Sequence, residues 1–115
     1  HFTFHEQIDN IASLMLSADL AIGSTGITTW ERCCLGLPAI VSISANNQRD
    51  TANELSKKKC IINLGDVKKL KETNYLKAII NIKKNDLRSM SKNSLRLVDG
   101  NGTQRILKHI LLIAK

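Results

Sequence analysis

Proline and aromatic residues are scarce in this sequence of 115 residues. It has one proline, Pro38, and its aromatic rings are Phe2, Phe4, Trp30 and Tyr75. The core must therefore be aliphatic, and few rings are available to stack on nucleic-acid bases. Together with the absence of a recognisable nucleic-acid-binding motif, this leads us to expect no nucleic-acid partner.

Long apolar runs are also missing. No run approaches the roughly 20 residues that a membrane-spanning helix needs, so we expect no transmembrane segment. The start, HFTFHEQ, lacks a basic stretch followed by an apolar one and does not match a signal peptide. Because the chain begins at His1 rather than methionine, we expect it to be processed or cut from something longer.

The cysteines do not form a metal-binding pattern. Cys33, Cys34 and Cys60 fit neither a C-x-x-C pair nor a Cys/His zinc set. We expect buried, reduced thiols in a cytoplasmic protein. His1 and His5 are four residues apart, but HFTFH alternates like a strand, which would separate the imidazoles. We therefore expect no metal and no cofactor.

Lysine and arginine outnumber aspartate and glutamate, and the formal net charge is +7. Lysines cluster at 57–59, 68–71 and 83–84. Basicity of this kind can serve a nucleic acid or an anionic membrane surface. Because the clusters lie in three separate segments, we interpret them as a solvated surface whose positive field favours an anionic small substrate.

Helical periodicity and short apolar runs alternate along the first half of the chain. The predicted order is α-β-α-β-α-β, with segments at 6–18, 19–23, 28–36, 39–43, 49–59 and 60–65. Such alternation predicts an α/β fold with a parallel sheet and flanking helices. Helical patterns at 73–84, 85–98 and 103–114 predict three terminal helices that cover the sheet or reach a neighbouring domain. Since doubly wound nucleotide domains usually have about five or six strands, either this domain is small or further strands lie in sequence outside it.

The segment GSTGITTWERCCLGLP, which starts at Gly23, joins the first two predicted strands. Its position after a strand and before a helix is where parallel sheets place binding sites. Glycines let backbone N–H groups approach an anion, Ser24, Thr25 and Thr28 add hydroxyls, and the following helix start attracts negative charge. The P-loop and the dinucleotide fingerprint are both absent, so the pattern alone is only moderately specific.

Three other residues near this turn have competing interpretations. Thr28 and Glu31 match a capping box, in which Glu31 would bond the helix start. If the helix begins nearer Gly26, Glu31 is instead free to accept hydrogen bonds from ribose hydroxyls. We expect Trp30 to be a core residue rather than a platform for a base, and Arg32 to lie at the surface near a phosphate site.

A polar loop at 44–49 follows the next strand and should open onto the same crevice. Asn46, Asn47 and Gln48 carry amides that suit sugar hydroxyls and acetamido groups. The alternative is an ordinary loop in which Asn or Asp caps the next helix.

These residues carry a family resemblance. The segment ASLMLSADLAIGSTGITTWERCCLGLPAIVSISANNQ resembles the C-terminal domain of the UDP-sugar hydrolases of the pseudaminic acid pathway and of spore coat polysaccharide biosynthesis proteins. LVDGNGTQRIL resembles that family's closing turn and last helix. The likeness runs from about Ile8 to Leu107 and is densest at 12–48. The family is similar in turn to GT-B glycosyltransferases, notably the N-acetylglucosaminyltransferase that makes lipid II.

The resemblance implies that residues 1–115 are a single nucleotide-sugar-binding domain, the Rossmann-like C-terminal half of a GT-B architecture, with a missing N-terminal domain as partner. The turn at 24–28 would meet the diphosphate of a UDP-sugar, Glu31 the ribose, and two amides the sugar. The implied binding residues are Ser24, Thr25, Gly26, Ile27, Thr28, Glu31, Asn47 and Gln48.

The implied reaction is water attack at the anomeric carbon of a UDP-2,4-diacetamido-2,4,6-trideoxy hexose, with release of UDP. The family's catalytic histidine belongs to the N-terminal domain, so we assign no catalytic residue here and expect the chain alone to be inactive. His109, on an apolar helix, is expected to be structural. The alternatives are the donor-binding half of a GT-B glycosyltransferase and a non-catalytic interaction domain.

Overall fold

The computed structural model describes residues 1–114, which form a three-stranded parallel sheet with helices around it. The strands are β1 (Ala21–Ser24), β2 (Ala39–Ile43) and β3 (Ile61–Asp66). The helices are α1 (Ile11–Ser17), α2 (Thr28–Cys34), α3 (Arg49–Lys57), α4 (Glu72–Asn81), α5 (Lys84–Leu97) and α6 (Gly102–Ile113). The predicted α/β, Rossmann-like class with a helical C-terminal segment is confirmed.

The sheet has the order β1-β2-β3, so β2 is central. All five residues of β2 are buried, which is why its sequence, AIVSI, shows no alternation of apolar and polar side chains. Gly23 pairs with Val41 and Ser24 with Ser42, so β1 and β2 end side by side. The loops that leave these two strands therefore start at the same edge of the sheet.

The core is aliphatic and sulfur-containing, as the shortage of aromatic rings requires. Its buried members are Cys33, Ala39, Val41, Ile43, Ala52, Leu55, Cys60 and Ile61. Cys33 and Cys60 are free and buried, and Cys34 is half-buried, which confirms the interior role predicted for the cysteines. Burial raises the pKa of the Cys33 thiol. The thiol therefore packs as a small neutral side chain.

Gly36 ends α2 and turns the chain into β2. It adopts φ +68°, where a side chain would be strained. Its N–H donates to the Cys33 carbonyl at 3.1 Å, and the Leu37 N–H donates to the Arg32 carbonyl at 2.9 Å. A Cβ at this position would lie 2.8 Å from Oγ of Ser91 on α5. Gly36 is thus required both by its backbone conformation and by the close approach of α5.

The three terminal helices take different positions. α4 packs against β3, and α5 packs against α2. α6 instead exposes most of its apolar side chains, including Ile106, Leu107 and Ile110, each more than half accessible. The prediction that terminal helices cover the sheet is confirmed for α4, whereas the prediction that they reach a neighbouring domain stays a prediction.

The amino-terminal segment differs from the prediction. Residues 1–10 form neither helix nor strand, and α1 begins at Ile11 rather than at Glu6. The Asn10 side chain accepts a 3.4 Å hydrogen bond from the Ser13 N–H and so caps α1. Apolar periodicity alone did not reveal this start. Among residues 1–114, no helix has the length and apolar content needed to cross a bilayer.

We predict that Gly36→Ala lowers the free energy of unfolding by about 1–3 kcal/mol, because it combines an unfavourable φ with a contact against α5. Urea denaturation measures this change. Gly102→Ala is the matched control, since a Cβ there meets no described atom within 4 Å and its effect should stay within about 0.5 kcal/mol. Equal effects of the two substitutions would contradict the packing argument.

Candidate functional site

The turn at 24–28 connects β1 to α2 at the carboxyl end of the sheet. Ile27 and Thr28 are exposed, whereas Ser24 and Gly26 are half-buried. Ile27 occupies the N-cap position of α2, and within residues 1–114 no side chain caps this helix. The Thr29 and Trp30 N–H groups donate to the Gly26 and Ile27 carbonyls, each at 3.1 Å, so among the described residues the uncapped N–H groups are those of Gly26, Ile27 and Thr28. Uncapped N–H groups of this kind are suited to binding an anion.

Thr25 ties this turn to the loop that follows β2. It is buried, and its Oγ1 donates a 3.2 Å hydrogen bond to the Gln48 carbonyl. The two loops predicted to share a crevice are therefore joined directly. Because the Thr25 hydroxyl is already engaged, we expect this residue to offer an anion its backbone N–H rather than its side chain.

The loop after β2 folds into a 3₁₀ turn, Asn46–Gln48. The Oε1 atom of Gln48 accepts from both the N–H and the hydroxyl of Ser44, at 3.0 and 3.1 Å. These bonds leave the NH₂ group of Gln48 available to a ligand. Asn46 and Asn47 are exposed. Within this loop, Asn47 therefore presents both its amide oxygen and its NH₂ group to the solvent, whereas Gln48 presents only its NH₂ group.

Glu31 lies in the first turn of α2 and is exposed. The capping box that its spacing with Thr28 could have indicated is absent from the described residues, since Ile27 is the N-cap. The helix begins at Thr28, one residue before the capping box requires and two residues after Gly26, and the binding of ribose by Glu31 stays a prediction. The Glu31 carboxylate is exposed, and it lies on the short helix that begins at the turn.

Arg32 is buried, so the expectation that it lies at the surface is wrong. It is 7% exposed, and one of its guanidinium nitrogens, Nη2, donates to the Ser24 carbonyl at 2.6 Å and to Thr29 Oγ1 at 3.2 Å. Burial lowers the pKa of Arg32. Arginine ordinarily titrates so far above neutrality that the side chain remains charged at pH 7. The sequence pattern does not indicate this burial, because arginines near a helix end are usually solvated.

The two glycines of the turn segment have different roles. Gly23 lies inside β1, not in the turn, and a Cβ on it would lie 3.0 Å from Nη1 of Arg32. Its small size therefore makes room for a guanidinium rather than for an approaching anion. Gly26 does lie in the turn, and no described atom is within 4 Å of a Cβ placed there. It leaves the turn open.

Trp30 is 46% exposed, so the expectation that it belongs to the core is wrong. It lines a groove with Asp50, Thr51, Leu55 and other residues of α3 and beyond. Thr29 and Cys33 are four residues apart and lie on the side of α2 that faces the core. Trp30 lies next to that side and is therefore only partly covered.

The clefts around the sheet differ in size and position. One of about 370 Å³, which we call the β1 cleft, has apolar walls from α1 and β1 and a polar end formed by Ser24, Thr28 and Arg32. A smaller one of about 170 Å³ lies at the ends of β2 and β3 and includes Arg49 and Lys68. The largest, about 440 Å³, lies at the opposite edge of the sheet, where the strands begin. Ligand sites of parallel sheets lie at the carboxyl ends of the strands, so we place the candidate site at the first two.

The described residues contain no group of three or more His, Cys, Asp or Glu side chains placed to hold a metal ion. His5 lies in the irregular amino-terminal segment and is exposed, and His109 is exposed on α6. The expectation that His109 is a packed structural residue is therefore wrong.

Comparison with known families finds one match that spans nearly the whole chain. Residues 1–110 match the glycosyltransferase family 28 C-terminal domain. The match includes β1, the turn, α2 and the loop after β2, and hence every residue of the candidate site.

Two known proteins are similar in sequence to this chain. The chain is 31% identical over 103 residues to the spore coat polysaccharide biosynthesis protein SpsG of Bacillus subtilis, which covers 88% of this chain and 30% of that protein. It is 39% identical over 54 residues to an uncharacterised protein of Methanocaldococcus jannaschii, which covers 47% of this chain and 11% of that protein. The chain thus spans less than a third of the length of either relative.

We predict that Thr25→Val lowers the free energy of unfolding by about 1 kcal/mol, because it removes the hydrogen bond between the turn and the Gln48 carbonyl. The shape of the side chain is kept. Thr103→Val, at an exposed position on α6, is the control and should change stability by less than about 0.5 kcal/mol. If both variants unfold at the same urea concentration as the parent, the bond contributes nothing to the link between the two loops.

Proposed function

Because this chain belongs to the glycosyltransferase family 28 C-terminal domain family, we propose that it binds a UDP-sugar as one domain of a larger protein. In this proposal an N-terminal domain outside the sequence forms the other wall of the cleft. The whole protein releases UDP from a UDP-2,4-diacetamido-2,4,6-trideoxy hexose, in the biosynthesis of pseudaminic acid or a surface polysaccharide. The name of the Bacillus relative, a spore coat polysaccharide biosynthesis protein, supports the polysaccharide context.

The observation that carries this proposal is the uncapped start of α2 beside an exposed carboxylate. The diphosphate would lie against the N–H groups of the turn, mainly those of Gly26, Ile27 and Thr28. Its negative charge is favoured there by the helix dipole and by the net positive charge of the chain. The turn is open to solvent at Ile27, which is 83% exposed.

Ribose and sugar recognition would come from the neighbouring side chains. Glu31, free of any capping role, would accept hydrogen bonds from two ribose hydroxyls. Asn47 and the NH₂ group of Gln48 would bond the acetamido or hydroxyl groups of the sugar, on the loop that Thr25 ties to the turn. We assign no catalytic residue to this chain, and the groups that activate water would belong to the N-terminal domain.

A second candidate is the donor-binding half of a glycosyltransferase, which the description of the matching family favours. It would use the same contacts to UDP and differ in what attacks the anomeric carbon. The full-length protein distinguishes the two. A hydrolase releases UDP from the UDP-sugar in water alone, whereas a transferase requires an acceptor alcohol for rapid release.

We predict that UDP shifts the backbone amide resonances of residues 23–31 in ¹H–¹⁵N spectra of the chain, and that Glu31→Ala weakens UDP binding about tenfold because two charge-assisted hydrogen bonds to ribose are lost. Since Glu31 caps nothing, the free energy of unfolding should change by less than about 0.5 kcal/mol.

Glu54→Ala is the matched control, because Glu54 is exposed on α3 and its pairing with Lys57 is a surface contact of little energetic weight. This variant should bind UDP as the parent does. An absence of shifts at millimolar UDP would contradict nucleotide binding and favour a non-catalytic interaction domain. A stability loss of about 1 kcal/mol in Glu31→Ala with unchanged binding would restore the capping interpretation.

A further inference from the structure

Among the described residues, Arg32 is a buried cation without an acidic partner. Its two hydrogen-bond acceptors, the Ser24 carbonyl and the Thr29 hydroxyl, are both neutral. The ion pairs within residues 1–114 join Lys57 to Glu54 and Arg105 to Asp99, both at the surface. The Nε atom of Arg32 is buried and has no hydrogen-bond partner among the described residues. A charge removed from water in this way is unfavourable unless another charge compensates it.

The guanidinium lies directly behind the turn. It is bonded to the carbonyl of Ser24, the residue at which β1 ends and the turn begins, and to the side chain of Thr29 in the first turn of α2. Together with Ser24 and Thr28 it forms the polar end of the β1 cleft, whose other walls are apolar. Water is scarce at such a position, so the positive charge is poorly screened and its field reaches the turn.

We propose that Arg32 is a positioning residue for the diphosphate of the nucleotide sugar, an inference that rests on the proposed function. Its charge is the counter-charge to the anion bound by the turn, and its bonds to Ser24 and Thr29 hold the turn in the shape that exposes the N–H groups. Arg32 acts through the turn and through its field, without a bond to the substrate.

This role predicts a dependence on the charge of the ligand. Removing the Arg32 charge should weaken UDP binding more than UMP binding, and should leave uridine binding unchanged, because uridine carries no phosphate. A residue that only stabilised the fold would change the affinities of all three ligands by the same factor. The ratio of UDP to uridine affinity therefore separates the two roles.

The experiment compares Arg32→Met with the control Arg96→Met, which removes an exposed arginine from α5. Uridine, UMP and UDP are titrated against each folded chain at one salt concentration. Arg32→Met should lower the UDP-to-uridine affinity ratio about tenfold, whereas Arg96→Met should leave it unchanged. Arg32→Lys, which keeps the charge but not the planar fork, should restore part of the ratio.

Two further measurements do not depend on the folding of Arg32→Met. In the unsubstituted chain, UDP should shift the ¹H–¹⁵N resonance of Arg32 Nε, and uridine should not. Gly23→Ala places a Cβ 3.0 Å from Nη1 of Arg32, and the displaced guanidinium should lower the same affinity ratio. Gly102→Ala on α6 is its control for an added methyl group, since that position also has open space around it and lies outside the candidate site.

The outcomes separate this inference from the proposed function. If the unsubstituted chain binds UDP but the Arg32 Nε resonance stays in place and the affinity ratio is the same in all variants, the role of Arg32 is overturned while nucleotide binding stands. If the unsubstituted chain binds UDP no more tightly than uridine, both the proposed function and the role of Arg32 are overturned.

Discussion

The hydrogen bond from Arg32 to the Ser24 carbonyl fixes the geometry on which the candidate site depends. It joins the last residue of β1 to a residue one turn into α2, across the bend between them. Glycine at position 23 is the residue that leaves space for the guanidinium. Because the bond is short and charge-assisted, it holds the end of β1 close to α2 and so shapes the bend between them. A turn held in place in this way does not have to be ordered when an anion binds.

The rest of the sheet places a second loop beside this turn. β1 and β2 are in parallel register, so their carboxyl ends coincide. The Gly36 turn returns the chain from α2 to the start of β2, and α5 packs against that return. The Thr25 hydroxyl then joins the two outgoing loops. The candidate site is thus held together by hydrogen bonds from the Thr25 and Arg32 side chains to backbone carbonyls, with helices α2 and α5 serving as supports.

The sequence predicted the parts of the fold that follow from apolar periodicity. The strand at Ala39–Ile43 has the bounds predicted, and the helix predicted to stop at Gly36 ends at Cys34, just before that glycine. Periodicity failed where a single side chain decides the outcome. Asn10 sets the start of α1, and the exposed position of Trp30 follows from which side of α2 meets the core.

Within the candidate site, residue types indicated a pocket for phosphates and sugars, but not which groups were free to bind. The Thr25 hydroxyl is bonded to the Gln48 carbonyl, which is distant in sequence, whereas the Gln48 oxygen and Arg32 are bonded to nearby residues, Ser44 and Ser24. The spacing of residues along the chain does not show which of these bonds form. Glu31, by contrast, could be assigned to one of two states from the sequence. The position of the helix start excludes the capping box, and ribose binding stays a prediction.

The short length of β1 has a consequence for how the chain behaves at high concentration. Its outer edge is unpaired within residues 1–114, and Ile22 is 53% exposed there. Open edges of this kind template the ordered stacking of foreign strands in amyloid. With four residues, β1 is shorter than the segments of about six that such stacking requires, and a glycine interrupts it. The short length of β1 thus makes fibril growth at this edge unfavourable.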